Sequence, residues 1–284
     1  PEEEANDEDF ARRLAQDTGA RYFVQDGFGV VHRDHASTAA ITSFLPSVAG
    51  LLLEKEYVSI VGAMKRPERP LVAVMGGAKV SDKIEVVEAL VRVADQLLIG
   101  GAMANTFLAA RGHDVGASKY EQDQADVVQK IYEAVVTKAG KDHQDDFLRL
   151  PTDVAVAKGV DKPAGHRVTA LDGIASDDMV LDIGPDTTRD YAAAVRKAGT
   201  VIWNGTLGYA ELAAFAKGSA SIAQVLADHP DIESIIGGGD TADFVIHWDR
   251  KKGGSFSHVS TGGGASLELM AGRTLPGIEH LLDA

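Results

Sequence analysis

LVAVMGGAKVSDKIEVVEAL, residues 71–90, joins a strand pattern to a helix pattern across two glycines. Five apolar residues precede Gly76 and Gly77, as in a strand buried on both faces. Lys79 and Lys83 then open an amphipathic helix pattern, although a helix start disfavours an exposed cation by roughly 0.3–1 kcal/mol. Glycine amides and lysines together predict a bound anion such as phosphate. The alternative is a solvated Lys83 beside glycines that only allow tight helix–sheet packing.

The same pattern, an apolar run that ends in a glycine turn and continues into a helix, recurs along the chain. The segments are 71–87, 96–110, 200–216, 232–248 and 257–272. Strands that alternate with helices predict a doubly wound parallel α/β sheet covered on both faces. Such sheets bind ligands at the carboxyl ends of their strands. One glycine turn is ordinary loop chemistry, whereas this repeated set predicts a phosphorylated ligand.

The remaining segments give weaker structural predictions. A long apolar helix is expected from about Ser47 to Ala63, as a connector between domains. The segment 126–140 is typical of an amphipathic helix that ends at a glycine. A strand is expected to end near Val156, and a turn is expected at Pro185 before another helix.

Composition excludes several classes of protein. The 284 residues contain 45% hydrophobic residues and no cysteine, with a formal net charge of -14. Such a charge argues against a general nucleic-acid binder. No apolar run approaches the ~20 residues that cross a bilayer, and the acidic amino terminus is not a signal peptide. We therefore expect a cytoplasmic protein of about two domains, without disulfides or thiolate metal sites.

An arginine near the amino terminus is a second candidate anion ligand. The stretch DGFGVVHRDHAST carries Arg33 after a predicted strand and glycine turn. A guanidinium at such a position can hold a phosphate or carboxylate through two parallel hydrogen bonds. The alternative is a surface ion pair with Asp34 or Asp26.

Several long motifs occur in one order along the chain: DGFGVVHRDHAST, LPSVAGLLLEKE, GGAKVSDK, WNGTLGYAE, GGGDTA and HVSTGGGASLELM. In this order and at these separations they resemble the phosphoglycerate kinase family. The resemblance implies two Rossmann-like, doubly wound domains around a cleft. It also implies reversible phosphoryl transfer between 1,3-bisphosphoglycerate and ADP, giving 3-phosphoglycerate and ATP with Mg²⁺. A monomer is usual in the family, and no nucleic acid or membrane partner is expected.

Carried over residue by residue, the resemblance implies a set of site residues. The nucleotide-binding residues would be Gly77, Ala78, Lys83, Gly101, Asn204, Glu211, Gly238, Gly239, Asp240 and Thr241. The catalytic residues would be Lys79, Lys83, Gly263 and Gly264. Glu211 would bind the ribose hydroxyls, Asp240 would also be the ligand of Mg²⁺, and Arg33 would bind phosphoglycerate.

The resemblance begins part-way through the family's amino-terminal domain, which is therefore expected to be incomplete. Residues 1–54 would be its remnant, 55–70 a connector, 71–272 the nucleotide-binding domain, and 273–284 a tail that returns toward the remnant. We expect apolar faces of the remnant to be exposed. Thr206 stands where the family usually has proline, and we expect a small local effect.

The resemblance places most of the family's phosphoglycerate-binding residues upstream of this sequence, and two functional interpretations follow. In the first, the parent protein is a glycolytic or gluconeogenic kinase and the chain is its carboxy-terminal part. In the second, it is a non-catalytic Mg-nucleotide-binding module. The hypothesis that joins them is that the chain binds Mg-nucleotide but turns over slowly, since most phosphoglycerate ligands of the family lie upstream. A Rossmann dehydrogenase is disfavoured because GGAKVSDK does not match G-x-G-x-x-G.

Overall fold

The computed structural model describes residues 1–161 and 165–282. Its strands are β1 (Phe23–Gln25), β2 (Ser47–Ala49), β3 (Leu71–Met75), β4 (Gln96–Ile99), β5 (Leu148–Arg149), β6 (Asp153–Ala157), β7 (Arg167–Ala170), β8 (Met179–Ile183), β9 (Thr200–Asn204), β10 (Glu233–Gly237) and β11 (His258–Val259). Its helices are α1 (Glu8–Thr18), α2 (Leu51–Lys65), α3 (Ile84–Val93), α4 (Gly101–Ala110), α5 (Ala125–Ala139), α6 (Gln144–Phe147), α7 (Pro185–Val195), α8 (Lys217–Asp228), α9 (Gly239–Trp248), α10 (Gly264–Met270) and α11 (Pro276–Leu282).

A parallel sheet of six strands, in the order β11–β10–β9–β3–β4–β5, carries the two main apolar cores. Alternate residues of a strand point to opposite faces of a sheet. Leu71, Ala73 and Met75 accordingly pack into one core, and Val72 and Val74 pack into the other. Side chains from α2, α3, α4, α5 and α10 complete the first core, and those from α7, α8 and α9 the second. The predicted doubly wound α/β fold is confirmed.

Two of the weaker predictions have clear outcomes. The helix expected over 126–140 is α5, which ends where Gly140 takes a positive φ of 86°. The turn expected at Pro185 is wrong, because Pro185 is the first residue of α7. Proline suits this position, since its fixed φ fits a helix and the first amides of a helix lack internal partners.

A second, antiparallel sheet was not predicted. It has three strands in the order β7–β6–β8, and the expected strand near Val156 is its central strand. Its strand β8 packs beside α4. This sheet therefore forms a wall next to the carboxyl end of β4, from which α4 starts.

The amino-terminal part holds a two-stranded parallel sheet of β1 and β2. The helix expected from Ser47 is wrong at its start, because residues 47–49 pair with β1 and the helix begins at Leu51. Asp26 caps that helix by accepting hydrogen bonds from the amides of Leu52 and Leu53, at 2.7 and 3.0 Å. The expected apolar exposure is present, with Leu51 82% exposed.

The carboxy-terminal helix α11 lies against the amino-terminal part. The amide of Gly277 donates to the carbonyl of Val31 at 2.9 Å, and a Cβ at Gly277 would lie 3.0 Å from the Cα of Val31. The remainder of the predicted tail, Asp283 and Ala284, lies outside the described residues. Within the described ranges, no helix combines the length and the apolar character that a bilayer crossing requires.

Candidate active site at the carboxyl edge of the sheet

A cavity lies at the carboxyl ends of the parallel strands, between the glycine turns and the antiparallel sheet. The predicted site residues that line it are Gly77, Ala78, Gly101, Glu211 and Asp240. Its other wall is apolar and includes Val154, Val160, Met179, Leu181, Ile183 and Leu207. A cleft with one polar edge and one apolar wall suits a ligand that has both a charged end and a flat apolar end.

Backbone hydrogen bonds join the glycine turns into one rigid edge. The amide of Gly77 donates to the carbonyl of Thr206 at 3.0 Å, and that of Gly101 donates to Leu207 at 2.8 Å. The approach excludes larger residues: a Cβ at Gly101 would lie 2.8 Å from the Gly77 nitrogen and from the Thr206 oxygen. The expected small effect of Thr206 agrees with its contribution here, which is made through its carbonyl.

Lys83 brings a half-buried positive charge to this edge. Its Nζ donates to the carbonyl of Gly76 at 2.8 Å and lies 3.5 Å from that of Asn204. Burial lowers the pKa of Lys83 from 10.5 to about 8, although the carboxylates of Asp240 and Asp82 oppose the change. The ammonium is thus short of compensating charge, as expected of a group that awaits an anion.

Lys79, the other lysine of the opening stretch, is exposed. Its charge helps to lower the pKa of Glu121, although burial of that carboxyl opposes the shift more strongly. Glu121 accepts hydrogen bonds from the amides of Val80 and Ser81, at 2.5 and 3.1 Å, and from the Ser81 hydroxyl at 2.5 Å. We call residues 79–83 the lysine turn. Glu121, about 40 residues further along the chain, holds this turn in place through these hydrogen bonds.

Asn204 ends β9 beside Lys83 and has an unsatisfied side chain. It is 1% exposed, and neither Oδ1 nor Nδ2 has a partner among the described residues. A Cβ at Gly238 would lie 3.1 Å from both of these atoms, so the amide faces the glycine turn after β10. Buried polar groups are rarely left unpaired, so this amide is a polar group that the fold alone does not satisfy.

The turn after β10 carries the remaining nucleotide candidates. Gly238 takes a φ of 87°, and α9 begins at Gly239 with Asp240 in its first turn. Asp240 is exposed and reaches the cavity. Thr241 is buried, and its hydroxyl accepts a hydrogen bond from the amide of Gly205 at 2.6 Å.

Gly263, Gly264 and Arg33 do not line this cavity. Gly263 has a φ of 52° and open space around it, and α10 begins at Gly264. A Cβ at Gly264 would lie 3.3 Å from Nε2 of His32, so the amino-terminal part reaches the start of α10. Arg33 is exposed and forms no ion pair with any described residue, and Asp26 instead caps α2.

Three polar residues beside the cavity had no motif to reveal them: Asn105, Glu121 and Asp182. Asp182 lies in β8, where burial raises its pKa to about 7 despite hydrogen bonds from backbone amides that include Gly218 at 3.0 Å. A single acidic residue inside the apolar run VLDI was the only sequence signal for it. Within the described ranges, no group of three or more acidic or histidine residues could hold a metal by itself.

The comparisons with known proteins agree with this architecture. The phosphoglycerate kinase family profile matches residues 1–273. Phosphoglycerate kinases of Roseiflexus sp. (strain RS-1) and Pelotomaculum thermopropionicum are each 46% identical over 100% of this chain and 69% of their own length. The solved phosphoglycerate kinase of Coxiella burnetii superposes with a TM-score of 0.89 at 38% identity, covering 100% of this chain and 70% of its own.

That of Pyrococcus horikoshii OT3 superposes with a TM-score of 0.80 at 30% identity, covering 97% of this chain and 68% of its own. Both neighbours therefore extend beyond this chain. The family match, the relatives and the fold lead to one conclusion: the chain belongs to the phosphoglycerate kinase family of phosphotransferases.

Proposed function

We propose that the cavity binds ADP or ATP and that the chain supplies the nucleotide side of phosphoryl transfer between 1,3-bisphosphoglycerate and ADP. The observation that carries the proposal is the position of the Lys83 ammonium, 2.8 Å from the carbonyl of Gly76 and 3.5 Å from that of Asn204, directly behind the glycine turns that line the cavity. Phosphoryl transfer needs alignment and charge neutralisation more than covalent help from the protein. This edge offers both.

The roles follow from position. Gly77, Ala78 and Gly101 would lie along the nucleotide, and Lys83 and Asn204 would contact its phosphates. Glu211 would bind the ribose hydroxyls at the cavity rim. Thr241 would act mainly by holding the Gly205 amide, and its hydroxyl proton remains free to donate to a phosphate.

The exposed Lys79 would assist the transferring group, and the amides at Gly263 and Gly264 would receive it. No general base is needed, because the acceptor carboxylate of 3-phosphoglycerate is ionised at neutral pH. Arg33, which is free of ion pairs among the described residues, would hold the phosphoglycerate. These residues supply positioning and charge stabilisation at the reacting phosphoryl group.

Asp240 would be the protein ligand of Mg²⁺. A single exposed carboxylate fits this ion, which usually takes one or two carboxylates and completes its shell with water and substrate phosphates. When bound, Mg²⁺ would neutralise charge on the nucleotide phosphates.

The wider assignments are part of the same proposal. We propose the domain division 1–54, 55–70, 71–272 and 273–284, a cytoplasmic monomer, and no nucleic-acid or membrane partner. The connector helix begins at Leu51, slightly ahead of the boundary at 55. Since Arg33 is the one phosphoglycerate ligand assigned to this chain, we propose slow turnover. A non-catalytic Mg-nucleotide module is the second candidate.

Calorimetric titration of the chain with MgADP, and separately with 3-phosphoglycerate, tests the proposal. We expect saturable MgADP binding and weak phosphoglycerate binding. Asp240→Asn should weaken ADP binding in Mg²⁺ but leave it unchanged in EDTA. Asp243→Asn is the matched control, because that carboxylate lies on the same helix and pairs with His247 at 3.2 Å. Absence of MgADP binding would overturn the proposal, and a coupled ATP assay separates a slow kinase from a module.

A further inference from the structure

A groove separate from the cavity lies between α2, α3 and the corner that joins α10 to α11. It shares no lining residue with the cavity and has a volume of about 350 Å³, which is in the range of small-molecule sites. Helix α10 packs against both α2 and α3, so the corner after it closes the third side. The groove is therefore a concave site that the proposed nucleotide function does not occupy.

The floor of the groove is an apolar stripe. Tyr57, Val61 and Met64 line it from α2, and all three are half-buried. Spacings of four and three residues place these side chains in one row along the helix. Val93 of α3 and Leu275 face the same space. Since seven residues advance a helix by about 10 Å, the row suits an extended apolar chain laid along α2.

Two cations lie at one end of this floor. Lys65 is the last residue of α2, and Arg92 lies in the last turn of α3. Both side chains border the groove. Each helix ends shortly before a strand, β3 or β4, and these strands run parallel with Val72 beside Gln96. Both cations are therefore at the amino edge of the sheet, which is the edge opposite the glycine turns.

The charges of these two cations are uncompensated. Both side chains are exposed, and neither forms an ion pair with a described residue, including Glu279, which also borders the groove. By contrast, Nε of Arg273 in the same lining donates to Glu85 at 2.6 Å. A chain with 42 acidic and 28 basic residues has carboxylates to spare. An apolar floor with free positive charge at one end matches a ligand with an anionic head and an apolar tail.

We propose that the groove binds a free, monomeric alkyl carboxylate, with its head between Lys65 and Arg92 and its tail along the α2 stripe. A guanidinium can hold a carboxylate through two parallel hydrogen bonds. The tail contributes in proportion to the apolar area that it removes from water. The head contacts make the site select an anion over a cation of the same chain length.

Calorimetry at pH 8 with monomeric decanoate tests the inference. We expect one decanoate per chain, and about tenfold weaker binding of octanoate, because its tail buries two fewer methylenes. Decylammonium has the same tail and the opposite charge, and it should bind at least tenfold more weakly than decanoate, although the net charge of -14 favours a cation elsewhere on the surface. Phosphatidylglycerol vesicles form the second arm, and the chain should not sediment with them.

Variants locate the ligand. Lys65→Met combined with Arg92→Met should weaken decanoate binding about tenfold. Arg66→Met is the matched control, because this exposed arginine follows Lys65 directly but does not line the groove, and its affinity should stay within about twofold of wild type. Val61→Trp fills the floor and should abolish decanoate binding, while urea unfolding reports whether the variant is folded.

Several results would overturn the inference: no decanoate binding by wild type, equal binding of decylammonium, or an unchanged affinity in the double variant. Binding retained in a folded Val61→Trp would place the ligand elsewhere, such as on the exposed Leu51 and Leu52, with the same consequence. Sedimentation with vesicles without decanoate binding would make a membrane surface the partner instead. If Val61→Trp does not fold, the double variant and Arg66→Met decide. MgADP binding is a separate measurement, so the proposed function stands or falls independently.

Discussion

Lys83→Met should make the protein more stable at pH 7 and at the same time weaken its binding of nucleotide. Methionine matches the length and apolar character of the lysine stem but has no charge. The change removes an ammonium whose burial lowers its pKa from 10.5 to about 8. A site that keeps a charge at the expense of its own folding is expected to use that charge on a ligand.

The size of the effect follows from the pKa of Lys83. Each pKa unit is worth about 1.4 kcal/mol, so keeping this lysine charged in the folded state costs about 3 kcal/mol below pH 8. Between pH 8 and 10.5 Lys83 is protonated in the unfolded chain but largely neutral in the folded one. The destabilisation caused by its buried charge therefore decreases as pH rises through this range. Methionine also loses the hydrogen bond to the Gly76 carbonyl, worth about 1 kcal/mol. The variant should gain about 2 kcal/mol at pH 7 and almost nothing at pH 10.

Urea unfolding in EDTA at pH 7 and pH 10, with both proteins measured side by side, gives these differences. Calorimetry with MgADP should show at least a tenfold loss of affinity, since a charged hydrogen bond contributes about 1.5–3 kcal/mol. Lys79→Met is the control, and its exposed side chain should change the free energy of unfolding by under about 0.5 kcal/mol. A variant at Lys83 that is less stable than wild type at pH 7, or a difference that does not change with pH, would refute the reasoning.

Three further predictions concern residues around the same edge. Glu121→Gln removes the charge of the carboxylate that accepts hydrogen bonds from two amides of the lysine turn, so the MgADP affinity measured by calorimetry should fall about threefold to tenfold. An unchanged affinity would mean that Glu121 does not influence the site. Burial raises the pKa of Asp182 to about 7, so between pH 4 and 7 the folded state binds more protons than the unfolded one, and the free energy of unfolding falls by about 4 kcal/mol as pH rises. Asp182→Asn should abolish this fall in urea titrations at a series of pH values. A fall of the same size in the variant would contradict the assignment. Glu56 joins α2 to β11 through a buried contact with His258 at 2.6 Å. Glu56→Ala should therefore lower the free energy of unfolding, measured by urea denaturation, by about 3 kcal/mol. A loss of under about 1 kcal/mol would mean that water replaces the carboxylate.

The parallel sheet and its glycine turns were predictable from sequence because their causes are local. An apolar run long enough for a buried strand, followed by glycine and a helix, is one βα unit, and the chain repeats it. The glycine turns at Gly77 and Gly101 were found from the sequence, whereas the hydrogen bonds that join them to residues 206 and 207 were not predicted. The motif string then identified the family, as the comparisons confirm.

The parts that sequence reasoning missed depend on partners far along the chain. Ser47–Ala49 is separated from the apolar helix only by Gly50, and it forms a strand because it pairs with residues 23–25. The antiparallel sheet is likewise decided by pairing between β6 and its neighbours. Asn105 and Glu121 lie in a helix and a loop without any motif, and their positions are fixed by contacts with Lys119 and the lysine turn.

Three unfavourable features of the molecule lie at or beside the cavity. Lys83 is a charge that burial disfavours, Asn204 has two unpaired polar atoms, and Asn105 has one. Each would weaken the isolated fold, and no two of them are neighbours in sequence. A phosphate beside Lys83 would relieve the first of them. Because a ligand at one hundred times its Kd adds about 2.7 kcal/mol to stability, MgADP should raise the unfolding free energy of wild type by about that amount and should raise that of Lys83→Met, at the same MgADP concentration, by clearly less.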